Sequence, residues 1–180
     1  MLEKDIEKVL VSEDEIKEMC KRLGKQITED YKDKNPLMVG LLKGCVPFMT
    51  ELSKHIDCYL EVDYMGVSSY HGGTESVGNV KITKDLNVSL QGRDVIIAED
   101  IVDTGNTLKE ITAIFKARGA KSVEIATLLD KPSGRKVELE AKYVGTLVPG
   151  EFVVGFGLDY KEYYRNLPYV GVLKPEVYSK

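Results

Sequence analysis

What the sequence lacks removes several classes of function before any motif is read. No stretch approaches the roughly 20 apolar residues that a membrane-spanning helix needs. Met1-Leu2-Glu3-Lys4-Asp5 has no basic segment leading into an apolar one, as a secretory signal would. Cysteine is scarce: Cys20, Cys45 and Cys58 are odd in number and show no CxxC spacing, which reads as reduced thiols in a cytoplasmic protein. His55 and Cys58 stand at H-x-x-C spacing, but with two histidines in all and no second ligand pair they do not make a metal site. Positive charge is not in excess, and a net charge of −4 provides no overall field for nucleic acid or membrane. There is no GxxxxGK[ST] loop and no GxGxxG turn after a strand. No Ser-His-Asp or Cys-His nucleophile arrangement, internal repeat or low-complexity tract stands out.

What is present is the composition of an ordinary globular chain, 43% hydrophobic and 30% charged over 180 residues. That length suits one domain, residues 1–180. Ser12-x-x-Glu15 resembles a capping box, and Ile16, Met19, Cys20, Leu23 and Ile27 follow helical spacing, predicting a helix near 12–32. Leu37-Met38-Val39-Gly40-Leu41-Leu42 and Val95-Ile96-Ile97-Ala98 are short apolar runs, expected as strands buried on both faces. Pro47 suits the first turn of a helix running to about Ile56. From Cys58 to Val67 the pattern alternates, Leu60, Val62 and Tyr64 against Glu61, Asp63 and Met65, as in a half-exposed strand. Residues 68–79 read as a glycine-bearing loop, and 122–129, 143–147 and 152–154 as further strands.

Short apolar strands alternating with helices predict an α/β fold, a mostly parallel twisted sheet flanked by helices. Its core spans about 35–150, and the aromatic-rich segment 151–180 is expected to form a small C-terminal hood with N-terminal contributions. Ligands of such sheets bind beyond the carboxyl ends of the strands. This points to Lys43-Gly44, to Glu99 through Thr107, and to Asp130-Lys131.

The middle segment is the most informative. A buried strand is expected to end at Ala98, followed by the carboxylates Glu99 and Asp100 and then by Asp103-Thr104-Gly105-Asn106-Thr107 at the start of a helix stopped near Gly119. Helix N-termini expose unpaired N–H groups and a positive dipole end, which suits a phosphate. Gly105 lets the backbone approach the anion, and Thr104 and Thr107 are small hydroxyl donors. Adjacent carboxylates beside an anion site suit sugar hydroxyls, or a divalent cation shared with the ligand. Together these features suggest a sugar phosphate.

The run Val95 through Leu108, with Glu99-Asp100-Ile101-Val102-Asp103-Thr104-Gly105 at its centre, closely resembles the phosphoribosyl-pyrophosphate signature of the type I phosphoribosyltransferases, in the form of their hypoxanthine-guanine branch. Leu42-Lys43-Gly44 is similar to the family's pyrophosphate loop and Ser69-Tyr70 to its flexible-loop dipeptide. Leu129-Asp130-Lys131 and Phe152 through Tyr160, followed by Glu162-Tyr163 and Arg165, resemble its base-binding segments. The matches run in order across roughly residues 37–170.

The resemblance implies transfer of ribose 5-phosphate from phosphoribosyl pyrophosphate to hypoxanthine or guanine, with Mg²⁺ as cofactor. Glu99 and Asp100 would hold the ribose hydroxyls, and Thr104, Gly105, Asn106 and Thr107 the 5′-phosphate. Lys43, Gly44 and Arg165 would meet the pyrophosphate. Asp103, beside the phosphoribosyl group, would be the general base near N7 of the purine. Lys131 would donate to the 6-oxo group, Phe152 would stack on the ring, and Val153 and Asp159 would complete the base site. Glu99 and Asp100 are implied as metal contacts, with a second ion through Asp159. A cis peptide between Leu42 and Lys43 is also implied, and closure of the Ser69-Tyr70 loop would exclude water. Small-molecule substrates, a homo-oligomer (dimer or tetramer), no nucleic-acid partner and no membrane complete the expectation. Xanthine as the base, and a nucleic-acid-binding regulator on the same fold, remain as rivals.

Overall fold

A computed structural model describes residues 1–69 and 80–179. In chain order its elements are β1 (Ile6–Val11), α1 (Glu13–Tyr31), β2 (Leu37–Leu42), α2 (Cys45–Ser53), β3 (Glu61–Ser69), β4 (Val80–Lys84), β5 (Asp94–Val102), α3 (Asn106–Ala117), β6 (Ser122–Asp130), β7 (Tyr143–Leu147), β8 (Val153–Val154), β9 (Val170–Leu173) and α4 (Pro175–Tyr178). Six strands form one sheet in the order β4-β3-β2-β5-β6-β7, parallel throughout except for the antiparallel β3–β4 edge. This is the mixed α/β architecture expected from the alternation of strands and helices.

The two apolar runs are buried on both sides because helices cover both faces. Met38, Ile96 and Ala98 pack with Ile16, Cys20, Leu23, Ile27 and Phe48 of α1 and α2. Leu37, Val39, Leu41, Val95 and Ile97 pack on the opposite side with Leu108, Ile111 and Phe115 of α3. Alternate residues of one strand thus feed two cores. Gly40 marks where α2 presses closest: a Cβ there would lie 2.6 Å from Met49 Sδ and 2.8 Å from Cys45 Sγ. At the start of α1, Ser12 Oγ accepts from Glu15 N at 3.2 Å, the N-cap bond that the sequence predicts.

Several boundaries depart from expectation. Helix α2 stops at Ser53 rather than near Ile56, and β3 begins at Glu61 rather than Cys58. Within β3 the buried residues are Asp63, Met65 and Gly66, whereas Val62 is 53% exposed. Asp63 tolerates burial because its carboxylate accepts from Tyr64 N at 2.8 Å and from Asn87 N at 2.7 Å. Strand β5 runs through Val102, so Glu99 and Asp100 lie in a strand and not in a loop. Ladder pairing of Glu99 with Thr127, Ile101 with Leu129 and Val102 with Asp130 sustains it, since the backbone bonds are indifferent to side-chain charge. Helix α3 begins at Asn106 and ends at Ala117, with Gly119 in the left-handed region at φ +89°.

Strands β1, β4 and β9 have no counterpart among the expected elements. β1 and β9 pair antiparallel, and β8 adds to β9, giving a second, three-stranded sheet. Beneath it Ile6, Val154, Tyr164, Leu167 and Leu173 form a separate small core. Among the described residues no helix is long and apolar enough to cross a membrane.

Candidate active site

The carboxyl ends of β2, β5 and β6 open on the same side of the sheet, as parallel pairing requires. Strand alternation sends Glu99 and Asp100 to opposite sides. Glu99 and Ile101 line a cavity of about 140 Å³ together with Asp103, Thr104, Gly105, Thr107 and Leu108. Asp100 turns instead toward the end of β2, where its Oδ2 fills the space a side chain at Gly44 would occupy. Removal from water, with the neighbouring Asp100 charge, drives the Glu99 carboxyl well above the usual carboxylate range. Burial raises Asp100 to about 6, opposed by its backbone hydrogen bonds and by the Arg165 charge.

Gly105 stands at φ +81° as the N-cap of α3, a conformation that costs an L side chain and not glycine. Thr104 Oγ1 accepts from Asn106 N at 3.3 Å, and Gly105 O receives Lys109 N at 2.9 Å. The first turn of α3 contains no acidic residue, and its N-cap Gly105 has no side chain to cap it, so the Thr104 bond to Asn106 N is the one side-chain contact it receives among the described residues. The other N–H groups of that turn have no partner within the helix and stand beside the cavity, an arrangement that suits an anion.

On the rim, Lys131 Nζ lies 3.8 Å from Asp103 Oδ2, and Lys131 N donates to Val102 O at 2.9 Å. Arg135, absent from the expected site, ties this corner together. Its guanidinium pairs with Asp130 and donates from Nε to Asp103 O at 3.2 Å and from Nη1 to Leu139 O at 2.5 Å.

Opposite, the segment after β8 is docked on the loop after β2. Gly157, at φ +99°, approaches Gly44 O so closely that no Cβ would fit. Arg165 donates from Nη1 to Gly157 O at 2.7 Å, and its Nη2 lies 3.1 Å from Asp159 Oδ1 and 3.0 Å from Glu162 Oε1. Glu162 reaches on to Lys43 Nζ at 2.5 Å and donates its backbone N–H to Asp159 Oδ2 at 2.8 Å. The two cations hold the Glu162 carboxyl below its usual range. Arg165 Nε is buried without a hydrogen-bond partner among the described residues. The peptide between Leu42 and Lys43 is cis.

Lys43, Gly44, Asp100, Asp159 and Arg165 thus form one contact chain, and Asp103 with Lys131 another. Phe152 lies outside both: 40% exposed beside β8, it contacts Tyr160 and Tyr178, while Val153 is buried and pairs with Val172. Ser69 ends β3, and Tyr70 lies outside the described residues. Glu162, Arg135 and Gly134 are not among the site residues that the motifs point to. Glu162 alone carried a local signal, three residues before Arg165 in the base-binding segment.

Among the described residues no three His, Cys, Asp or Glu side chains converge on a metal-binding point, the His55 and Cys58 pair included. The donor set nonetheless suits Mg²⁺, which is commonly held by one or two carboxylates together with substrate phosphates and water. Glu99 and Asp100 offer oxygen ligands whose removal from water disfavours the charged form, a cost that a bound cation would offset.

Residues 11–161 match the family model described as the phosphoribosyl transferase domain. The chain is 63% identical over 180 residues to a hypoxanthine-guanine phosphoribosyltransferase of Streptococcus pyogenes, covering 100% of both chains. It is likewise 63% identical over 179 residues to one of Streptococcus pneumoniae, covering 99% of each. It superposes with a TM-score of 0.96 on a crystal structure of a hypoxanthine phosphoribosyltransferase from Staphylococcus aureus, at 56% identity and covering 99% and 97% of the two chains. The acidic end of β5, the open N-terminus of α3 and these matches agree, and the chain belongs to the phosphoribosyltransferase family.

Proposed function

We propose that the protein is a purine-salvage enzyme that transfers 5-phosphoribosyl from phosphoribosyl pyrophosphate to hypoxanthine or guanine, giving IMP or GMP and pyrophosphate. The observation that carries this reading is the acidic pair Glu99–Asp100 between an uncapped helix N-terminus at Gly105 and the cations Lys43 and Arg165. A ribose bearing phosphate at one end and pyrophosphate at the other has the matching charge pattern.

Thr104, Gly105, Asn106 and Thr107 receive the 5′-phosphate at the start of α3. Glu99 and Asp100 take the ribose hydroxyls and stabilise the positive charge that builds on the ring as the C1–O bond to pyrophosphate breaks. Lys43, Gly44 and Arg165 take the departing pyrophosphate. Asp103 accepts the purine proton near N7, which makes N9 a better nucleophile toward C1. Lys131, beside Asp103, donates to the 6-oxo group; adenine presents a donor there and is disfavoured. Phe152 stacks on the base, the Val153 backbone meets its edge, and closure of the Ser69–Tyr70 loop excludes water. Glu99 and Asp100, with Asp159, would hold Mg²⁺, which when bound supplies charge neutralisation for the pyrophosphate oxygens.

The same reading takes the protein as a cytoplasmic homo-oligomer, dimer or tetramer, acting on small molecules and not on nucleic acid. A side-by-side assay of pyrophosphate release with hypoxanthine, guanine, xanthine and adenine, in the presence of phosphoribosyl pyrophosphate and Mg²⁺, tests it. Turnover of the first two and rejection of adenine are expected. No purine-dependent release would overturn the reading.

A further inference from the structure

Three aromatic rings meet at the edge of the small sheet. Phe152 stacks on Tyr178 with ring centroids 4.9 Å apart and planes inclined by 25°. Tyr160 meets Phe152 edge-on at 5.8 Å and 87°, and lies 6.5 Å from Tyr178. Phe152 is held in this relation by its backbone, since Leu173 N donates to Phe152 O at 2.9 Å. The strand that receives Phe152 is therefore the one that continues into α4 and carries Tyr178. The position of α4 is itself tied to the turn that precedes β1: Lys174 N donates to Asp5 O at 2.9 Å and Lys174 Nζ to Lys4 O at 2.6 Å. Tyr178 packs, with Val177 and Tyr160, against the small core.

A phenyl ring that receives a planar base binds best when it is already fixed, because a side chain immobilised only on binding takes its entropic cost from the affinity. Phe152, 40% exposed, would have that freedom if it stood alone. Tyr178 covers one face and Tyr160 one edge, which leaves a single face to act as receptor. We propose that Tyr178 is a positioning residue for the purine: it backs Phe152 so that base, Phe152 and Tyr178 stack in three layers. It acts on affinity for the base and not for the phosphoribosyl donor. This inference rests on Phe152 being the ring that stacks on the base.

Steady-state kinetics of the full chain carrying Tyr178→Ala, Tyr178→Leu or Tyr178→Phe test it, with hypoxanthine varied at saturating phosphoribosyl pyrophosphate and the donor varied at saturating hypoxanthine. Loss of one aromatic pair corresponds to a rise of about three- to tenfold in the KM for hypoxanthine in the Ala and Leu variants. The donor KM should stay within about twofold by the same argument, and Tyr178→Phe, which keeps the ring, should match the wild type. The Leu variant keeps apolar bulk in the small core and so separates stacking from folding. An unchanged hypoxanthine KM in both Ala and Leu variants, equal rises for both substrates, or a Phe variant as impaired as Ala would overturn the inference while wild-type turnover left the proposed function standing. A wild type without purine-dependent pyrophosphate release would overturn both.

Discussion

Gly134 and Asp103 compete for the same space. The carboxylate oxygen Oδ1 of Asp103 occupies the position that a Cβ on Gly134 would take, so the turn after β6 fits the candidate base only because it carries no side chain there.

Gly134 does not sit in the left-handed region, so Gly134→Ala introduces a collision without backbone strain. The half-exposed Asp103 carboxylate is the easier group to displace. Turnover should fall toward that of Asp103→Asn, which removes the base and should lose about 10²–10⁴ in kcat while the donor KM changes little. Circular dichroism and the melting temperature of the Gly134→Ala variant should stay close to those of the wild type. Loss of donor affinity equal to the loss of turnover would count against the role given to Asp103.

Lys131→Ala removes the donor expected at the 6-oxo group. Hydrogen bonds to charged groups contribute about 1.5–3 kcal/mol, so the KM for hypoxanthine should rise about 10- to 100-fold. Donor binding, read by titration in the absence of a purine, should be nearly intact. A variant that keeps the wild-type purine preference would refute the assignment.

The three thiols should differ sharply in reactivity. Cys20 and Cys45 are fully buried, and burial pushes both to about 12, with Glu99 and Asp100 adding to the effect at Cys45. Cys58 is only partly buried. A chromogenic disulfide reagent at pH 8 should therefore modify Cys58 alone in the native protein, and all three cysteines after unfolding. Cys58→Ser should abolish the native reaction without loss of activity. Rapid native labelling of Cys45 would contradict its burial against the acidic pair.

Arg118, just past the end of α3, grips Asp85 with both terminal nitrogens, at 2.7 and 2.9 Å. That pairing, with a bond from Leu86 N, depresses the Asp85 carboxyl below its ordinary value. A carboxyl depressed on folding contributes stability above its unfolded value, near 3.8, and loses it as pH falls through the folded value. Asp85→Asn should thus lower stability at pH 7, by less than about 1 kcal/mol because both groups are solvent-accessible. The difference from wild type should vanish toward pH 2–3. Denaturant unfolding across this range checks it; a difference that persisted in acid would rule out the ion pair as its source.

The elements legible in the sequence are those whose signal is local. β2 and β5 announce themselves as apolar runs, α1 by its periodicity and Ser12 cap, and the anion cradle by Asp103 through Thr107. β1, β4 and β9 are not legible because each is short and polar or glycine-bearing, as in Ile6-Glu7-Lys8-Val9 or Val80-Lys81-Ile82-Thr83, and is specified by a distant partner strand. The continuation of β5 through Glu99 and Asp100 is hidden for a related reason. Two charges interrupt the apolar pattern, while the ladder to β6 that keeps them extended lies outside the local window. At the site, Asp103, Lys131 and Arg165 stand in motifs, whereas the contributions of Gly134, Arg135 and Tyr178 arise from packing between segments that sequence proximity does not connect.

The small sheet joins β1 to β9 across nearly the whole chain. Such a contact closes the longest loop the fold contains and can form only after everything between its strands has been synthesised. Phe152, Tyr160 and Tyr178, which meet beside this sheet, cannot come together until β9 and α4 have been made. Truncation before β9 would thus remove the aromatic cluster at its source while leaving the residues of β5 and α3 in the chain.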